Sequence, residues 1–312
     1  MKLVVSIASR GRPDRLAATV RQNLAHAVLP DTVIAVALDN DDKPSIGALA
    51  HLAEQLDPTG NRILASVKPR EDTIAEKWNR ALAVPADCYL AVGDDDPIAT
   101  RGYDAEILKA AAIFPDGIGM VYGHLANASF SSMVAPTRGL VEKMGGKIFP
   151  EYFPYWFCDH WTDDVARIIG RISFADVRTD QSKPGKTQEM REPGWWATWF
   201  DAARVYRRKQ AHAIINDPDF KVEEWQRKIL LNHHPLIEYR STWINDHVRA
   251  QAKHLEGWSN AAPADDRYKR IRDKAVAMIP ELLEGMDEAD AIRYRNALIT
   301  PTDVVGLRRI YA

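Results

Sequence analysis

Cysteine is nearly absent from this chain: two in 312 residues, Cys88 and Cys158, with no CxxC pair. That excludes a disulfide scaffold and a zinc ribbon. No uncharged apolar run approaches the roughly 18 residues of a membrane span. The opening Met1–Ile7 is too short and too soon polar for a signal peptide, so the expected setting is the cytoplasm, with no membrane partner. Charge of one sign is lacking too. A net charge of −2 provides no global field toward nucleic acid or an anionic membrane. There is no internal repeat and no low-complexity segment. The balance of 46% hydrophobic and 27% charged residues is ordinary for a globular chain, long enough for a large domain with an appendage.

Two patterns alternate through the first half. Leu3–Ala8, Thr32–Leu38, Ile63–Val67 and Cys88–Val92 are short, nearly continuous apolar runs, as in strands buried on both faces. Between them, Leu16, Val20 and Leu24 recur at helical spacing, as do Ile46, Leu49 and Ala53. Thr73 and Glu76 form a capping-box pattern ahead of Ile74, Trp78 and Leu82. Such a βαβαβαβ order predicts a mostly parallel sheet flanked by helices, an α/β fold related to the Rossmann type. Ligands bind such sheets at the carboxyl ends of the strands. Three of the four strands end there in charged turns: Ser9–Arg12, Asp39–Asp42 and Asp94–Asp96.

The pattern changes after residue 118. Gly119–Tyr122 and Ser129–Ala135 read as short strands, Leu140–Met144 and Val165–Ile169 as helical. Asp180–Gly194 has no apolar period and reads as a loop that closes over a ligand. From about Phe200 the pattern is helical, which divides the chain into residues 1–200 and a helical region 201–312. Arginines and lysines bunch in that region around Arg204–Lys209 and Arg267–Lys274.

The sharpest chemical signal is Asp94-Asp95-Asp96. Three adjacent carboxylates repel one another, and a hard divalent cation taking oxygen ligands relieves that repulsion. The bland alternative is a solvated acidic turn. Placed at the end of the fourth strand, the triplet suggests Mg²⁺ or Mn²⁺ bridging to a diphosphate.

Here the chain resembles the GT-A glycosyltransferases, especially the broad inverting family of bacterial and phage transferases that use sugar nucleotides. The pieces that carry the resemblance are Val4–Pro13, the Asp39 cluster, Lys77-Trp78-Asn79, Asp94–Asp96 and Trp161–Asp164, within residues 1–172. It implies a metal-dependent hexosyl- or pentosyltransferase with a nucleotide-diphosphate sugar as donor. Ala8, Ser9, Arg10 and Arg12 would hold the nucleotide, with the arginines gripping the diphosphate. Asp39 would accept a hydrogen bond from the base, and Lys77 and Asn79 would face the same cleft. Asp94 and Asp95 would reach the nucleotide. Asp96, with Asp94, would ligate the metal, and His160 is a further ligand of the kind some members use, or else a satisfied polar residue among aromatics.

The resemblance also gives Asp164 as the base that takes the acceptor's proton, with Asp163 in reserve. Both also suit the start of a helix over Val165–Ile169, where asparagine would still cap it and the fold would survive substitution. The acceptor is open. Phage-type transferases act on hydroxymethylated pyrimidines in DNA, and the basic clusters are compatible with that. Rival readings are a nucleic-acid-binding module, a catalytically inactive relative and a nucleotidyltransferase. The last is disfavoured by one glycine and no lysine in Ser9–Pro13.

Overall fold

The computed structural model describes residues 1–124, 133–154, 157–180, 193–232 and 266–299. The first half is the expected alternation: β1 Leu3–Ala8, α1 Pro13–His26, β2 Val33–Asp39, α2 Lys43–Leu56, β3 Ile63–Lys68, α3 Ile74–Asn79 and β4 Cys88–Gly93. These strands pair in parallel in the order β3-β2-β1-β4. After α4 Tyr103–Ala111 come β5 Met120–His124, β6 Val134–Pro136, α5 Arg138–Lys143, α6 Cys158–Ile168 and β7 Ile172–Arg178. β5 lies between β6, antiparallel, and β7, parallel. An antiparallel bridge from Cys88 to Thr137 sets β6 beside β4. The strands therefore run 3-2-1-4-6-5-7 across the molecule, a mostly parallel, GT-A-like arrangement.

The sheet separates two cores by strand alternation. Leu3, Val5 and Ile7 of β1 face the layer of α1, α2 and α4, where Leu16, Val20, Leu49 and Ile107 are buried. The opposite face carries smaller side chains, among them Val4, Ala35 and Ala91. Small residues there let α3 lie close to the sheet, and Ser6 Oγ donates to the Trp78 carbonyl at 2.9 Å. The capping box is formed in full: Thr73 Oγ1 accepts from Glu76 N, and Glu76 Oε2 accepts from Thr73 N. Such a cap contributes about 1 kcal/mol to an otherwise marginal six-residue helix.

The C-terminal part is helical: α7 Pro193–Ala202, α8 Arg204–Ile215, α9 Glu224–Asn232, α10 Asp266–Ala277, α11 Ile279–Leu283 and α12 Glu288–Ile299. α7 starts before the expected boundary and runs across residue 200. Pro193 and Gly194 thus belong to a helix rather than to the expected loop, and residues 181–192 of that loop lie outside the described residues, as do 129–132 of the expected strand Ser129–Ala135. Trp195, Trp196 and Trp199 are fully buried with Phe153, Trp161 and Phe200. Edge-to-face contacts, such as Phe153 on Trp199 at 5.2 Å, tie α7 to the segment before α6. Among the described residues no helix is long and apolar enough to cross a membrane.

Candidate active site

The carboxyl ends of β1, β2 and β4 converge, and the polar turns after them interlock. Asp39, the last residue of β2, is fully buried. Its Oδ2 accepts from Lys77 Nζ at 2.8 Å and from Arg10 Nη1 at 2.8 Å. Its Oδ1 is buried with no hydrogen-bond partner. A buried acceptor left in that state costs about 1–3 kcal/mol.

Lys77 also donates to the Ser9 carbonyl at 3.3 Å. Burial lowers its pKa, and the Asp39 carboxylate offsets part of that effect. Arg10 makes a two-pronged contact with Asp41 at 2.6 and 2.9 Å. That hydrogen bond holds the Asp41 carboxyl at about 2. Asp42 caps α2 through Ser45 N and accepts from Gly11 N at 2.6 Å. Against the upward push of burial, those N–H bonds keep it below the usual range.

Asp94 Oδ2 accepts from Ser9 Oγ at 2.7 Å, and its Oδ1 from Arg12 Nη1 at 3.0 Å. Burial raises its pKa, opposed by Ser9 and Arg12. Arg12 also reaches Asp95 at 3.3 Å, and Arg15 lies 3.7 Å from the same oxygen. Asp96 Oδ2 turns back to Gly93 N at 3.1 Å. Gly93 itself matters for space: a Cβ there would lie 2.7 Å from Asp96 Oδ2 and 2.8 Å from Asp95 Oδ1. Two carboxylate oxygens therefore close over a position that only glycine leaves open.

Whether a metal fits can be judged from this donor set. Among the described residues no three His, Cys, Asp or Glu side chains group as a metal-ligand set. Two converging carboxylates suffice for Mg²⁺ or Mn²⁺ when a bound diphosphate and water supply the other ligands. Asp95 and Asp96 are the pair that converges over Gly93, Asp95 also contacting Arg12 and Arg15, while Asp94 is held by Ser9 and Arg12.

Ser9, Arg10, Arg12, Asp39, Lys77, Asp94 and Asp95 are thus joined by side-chain contacts, and Ala8 and Asp96 adjoin them in the chain. Asn79 is not among them. Its side chain clamps the segment before α6, donating to the Phe149 carbonyl at 2.9 Å and accepting from Ile148 N at 2.8 Å. The expectation that it faces the cleft with Lys77 is corrected. Residues two apart on a helix lie on nearly opposite faces, and this helix ends at Asn79.

α6 also departs from expectation. It begins at Cys158, not near Val165, so Asp163 and Asp164 sit in its middle and cap nothing. Asp163 is fully buried, with Arg167 Nε at 3.2 Å. Asp164 is buried, with Arg207 Nε at 3.0 Å. Arg207 is fully buried as well, stacked 3.7 Å from the Phe200 ring centroid. The acidic residue in the first turn is Asp159, whose side chain is 23% exposed and whose Oδ1 lies 2.8 Å from His160 Nδ1. Before it stands Phe157 at φ +73°, the one non-glycine residue with positive φ among those described. Such strain concentrates at functional positions. In the sequence the start of this helix is masked by the surrounding aromatic residues.

Several arginines of the C-terminal basic bunches have intramolecular partners, while Lys209, Lys269, Arg270 and Lys274 are exposed. Arg204 pairs with Asp290 at 2.8 Å, Arg270 pairs with Asp72, and Arg272 lies 3.3 Å over the Trp195 ring.

The chain matches no protein-family model and no curated protein sequence. It is similar in fold to solved structures. A mannosyltransferase from Pyrobaculum calidifontis, PcManGT, solved with GDP-Man and Mn²⁺, superposes with a TM-score of 0.51 at 15% identity, over 97% of this chain and 88% of that chain. Residues 1–349 of S. aureus TarS give a TM-score of 0.48 at 13% identity, over 99% of this chain and 90% of that chain. At such identities the likeness is one of fold, and the fold is GT-A-like.

Proposed function

We propose that this protein is a metal-dependent glycosyltransferase that moves a sugar from a nucleotide-diphosphate donor to an acceptor hydroxyl. The observation that carries the reading is the buried, unpartnered Oδ1 of Asp39, beside Lys77 and Arg10, at the same sheet end as the Asp94–Asp96 turn. A nucleobase N–H satisfies that oxygen. Ser9 and Arg12 orient Asp94 toward the same nucleotide, and Arg10 and Arg12 supply charge-assisted donors for the diphosphate.

Mn²⁺ or Mg²⁺, held by Asp96 and Asp95, would stabilise the departing diphosphate as a Lewis acid. The likeness to PcManGT, which was solved with Mn²⁺, is in keeping with this.

The acceptor's proton must go to a carboxylate as the new bond forms. Asp164 and Asp163 are the candidates from sequence, but each is engaged by an arginine, and a carboxylate in an ion pair is a weak base. We assign the role to Asp159, partly exposed in the first turn of α6 and oriented by His160. The basic clusters do not single out a duplex-DNA acceptor, because Arg204, Arg270 and Arg272 have intramolecular partners.

The test is a thermal-shift screen of UDP-, GDP-, dTDP- and CMP-sugars with Mn²⁺. A donor at 100 times its Kd stabilises by about 2.7 kcal/mol. A melting point that no sugar nucleotide moves would remove the reading.

A further inference from the structure

Beside the start of α3 lies a cavity of about 620 Å³, within the usual range for small-molecule sites. Its walls come from the start of α3, the 144–152 segment, α6, α8 and α10. Tyr152 packs on Trp161 with ring centroids 5.1 Å apart, and its hydroxyl is engaged by Tyr206. Trp161 Nε1 donates to Gln210 Oε1 at 2.9 Å. That bond fixes the Gln210 amide so that its NH₂ group is the end left to donate.

Carboxylates and ammonium groups are interspersed around these rings. Glu151 accepts from Asn79 and from Lys147. Glu76 has one oxygen committed to the α3 cap, and Asp72 lies beside Lys274. Mixed signs this close leave no strong field for a phosphate or a polycation. Interspersed donors and acceptors beside the partly exposed Tyr152 ring match a ligand whose every polar group is both donor and acceptor, and whose ring face is C–H. A neutral sugar has that chemistry.

We infer that this cavity binds a neutral saccharide, the sugar portion of the acceptor. The inference rests on the glycosyltransferase reading for the word acceptor, and on the cavity alone for the word saccharide. α3 is the shared wall: Lys77 reaches the nucleotide cleft, while Thr73 and Glu76 line the cavity. An acceptor seated here is a glycan or glycoside rather than DNA.

The experiment is saturation-transfer NMR on the full chain, without nucleotide or metal. The probes are the methyl β-glycosides of glucose, galactose and N-acetylglucosamine, and methyl α-mannoside. At least one should receive transfer from the aromatic protons. Gln210→Leu should weaken its binding by about tenfold, the loss expected for one or two hydrogen bonds. Lys147→Met, at the rim and half-exposed, repeats the test should Gln210→Leu fail to fold. Asp96→Asn, in the other cleft, should leave glycoside binding unchanged.

No transfer to any of the four glycosides overturns the inference, as does binding that neither cavity variant weakens. UDP and GDP titrated in parallel separate the two readings. Nucleotide binding without glycoside binding leaves the transferase standing and removes this site. Glycoside binding without nucleotide binding does the reverse.

Discussion

Lys77 Nζ and Asp39 Oδ2, 38 positions apart in sequence, meet at 2.8 Å where both side chains are shut away from water. Arg10 approaches the same oxygen from solvent. Lys77 sets the direction of the carboxylate and leaves its second oxygen buried without a hydrogen-bond partner. Removing one member of a buried pair strands the other, at a cost of about 3–5 kcal/mol. Here Arg10 remains, so the expected loss for Lys77→Met is at the lower end. The melting temperature should fall and nucleotide affinity with it. A variant as stable as wild type that still binds nucleotide would dissociate the pair from the site.

The Asp94–Asp96 turn, proposed to hold the metal, can be probed without touching a carboxylate. Gly93→Ala puts a methyl group against Asp95 and Asp96 at under 3 Å. The carboxylates must rotate apart, and Mn²⁺-dependent nucleotide affinity should drop by about tenfold or more. Affinity measured in EDTA should hardly change. Equal losses in both conditions would mean that the turn serves the fold and not a metal.

Asp94 has a distinct pH signature. Its folded-state pKa is raised by burial, opposed by Ser9 and Arg12. Between the unfolded value and that raised value the native state holds more protons, so this group's contribution to stability is lost as pH rises through the folded pKa. At neutral pH the buried charge is a liability that binding offsets. Asp94→Asn should therefore melt no lower than wild type near pH 7, keep the Ser9 contact, and bind nucleotide more weakly. A melting temperature well below wild type at pH 7 would show that the Arg12 pairing outweighs desolvation.

The α6 carboxylates separate by phenotype. Asp164→Asn leaves Arg207 without its anion in the core, and a loss of about 3–5 kcal/mol is expected. The fold is not indifferent to that change, contrary to the helix-cap expectation. Asp159→Asn lies at a partly exposed helix start, so it should fold normally and slow transfer by about 10²–10⁴. Full turnover in Asp159→Asn, with a folded and inactive Asp164→Asn, would return the role to Asp164.

What could be read from sequence was what short-range pattern controls. β1, β2 and β4 are legible because strands buried on both faces must be apolar throughout, and the charged turns after them follow. Thr73 and Glu76 announced α3 by their spacing. The start of α6 was hidden because Phe153, Phe157 and Trp161 are buried by contacts with α7, which lies about 40 positions on. Arg207 reads as a surface arginine in any local window. Only the tertiary fold supplies Asp164 and the Phe200 ring that bury it. Asn79 and Lys77 share a motif but serve different neighbours, which spacing alone does not separate.

The most direct measurement is calorimetric titration of the full chain with UDP and with GDP, in MnCl₂ and again in EDTA, for wild type and Asp39→Ala. The account predicts that one nucleotide binds wild type in Mn²⁺, that EDTA weakens it strongly, and that Asp39→Ala abolishes it in either buffer. Binding that survives Asp39→Ala, or no binding of either nucleotide to wild type, would contradict it.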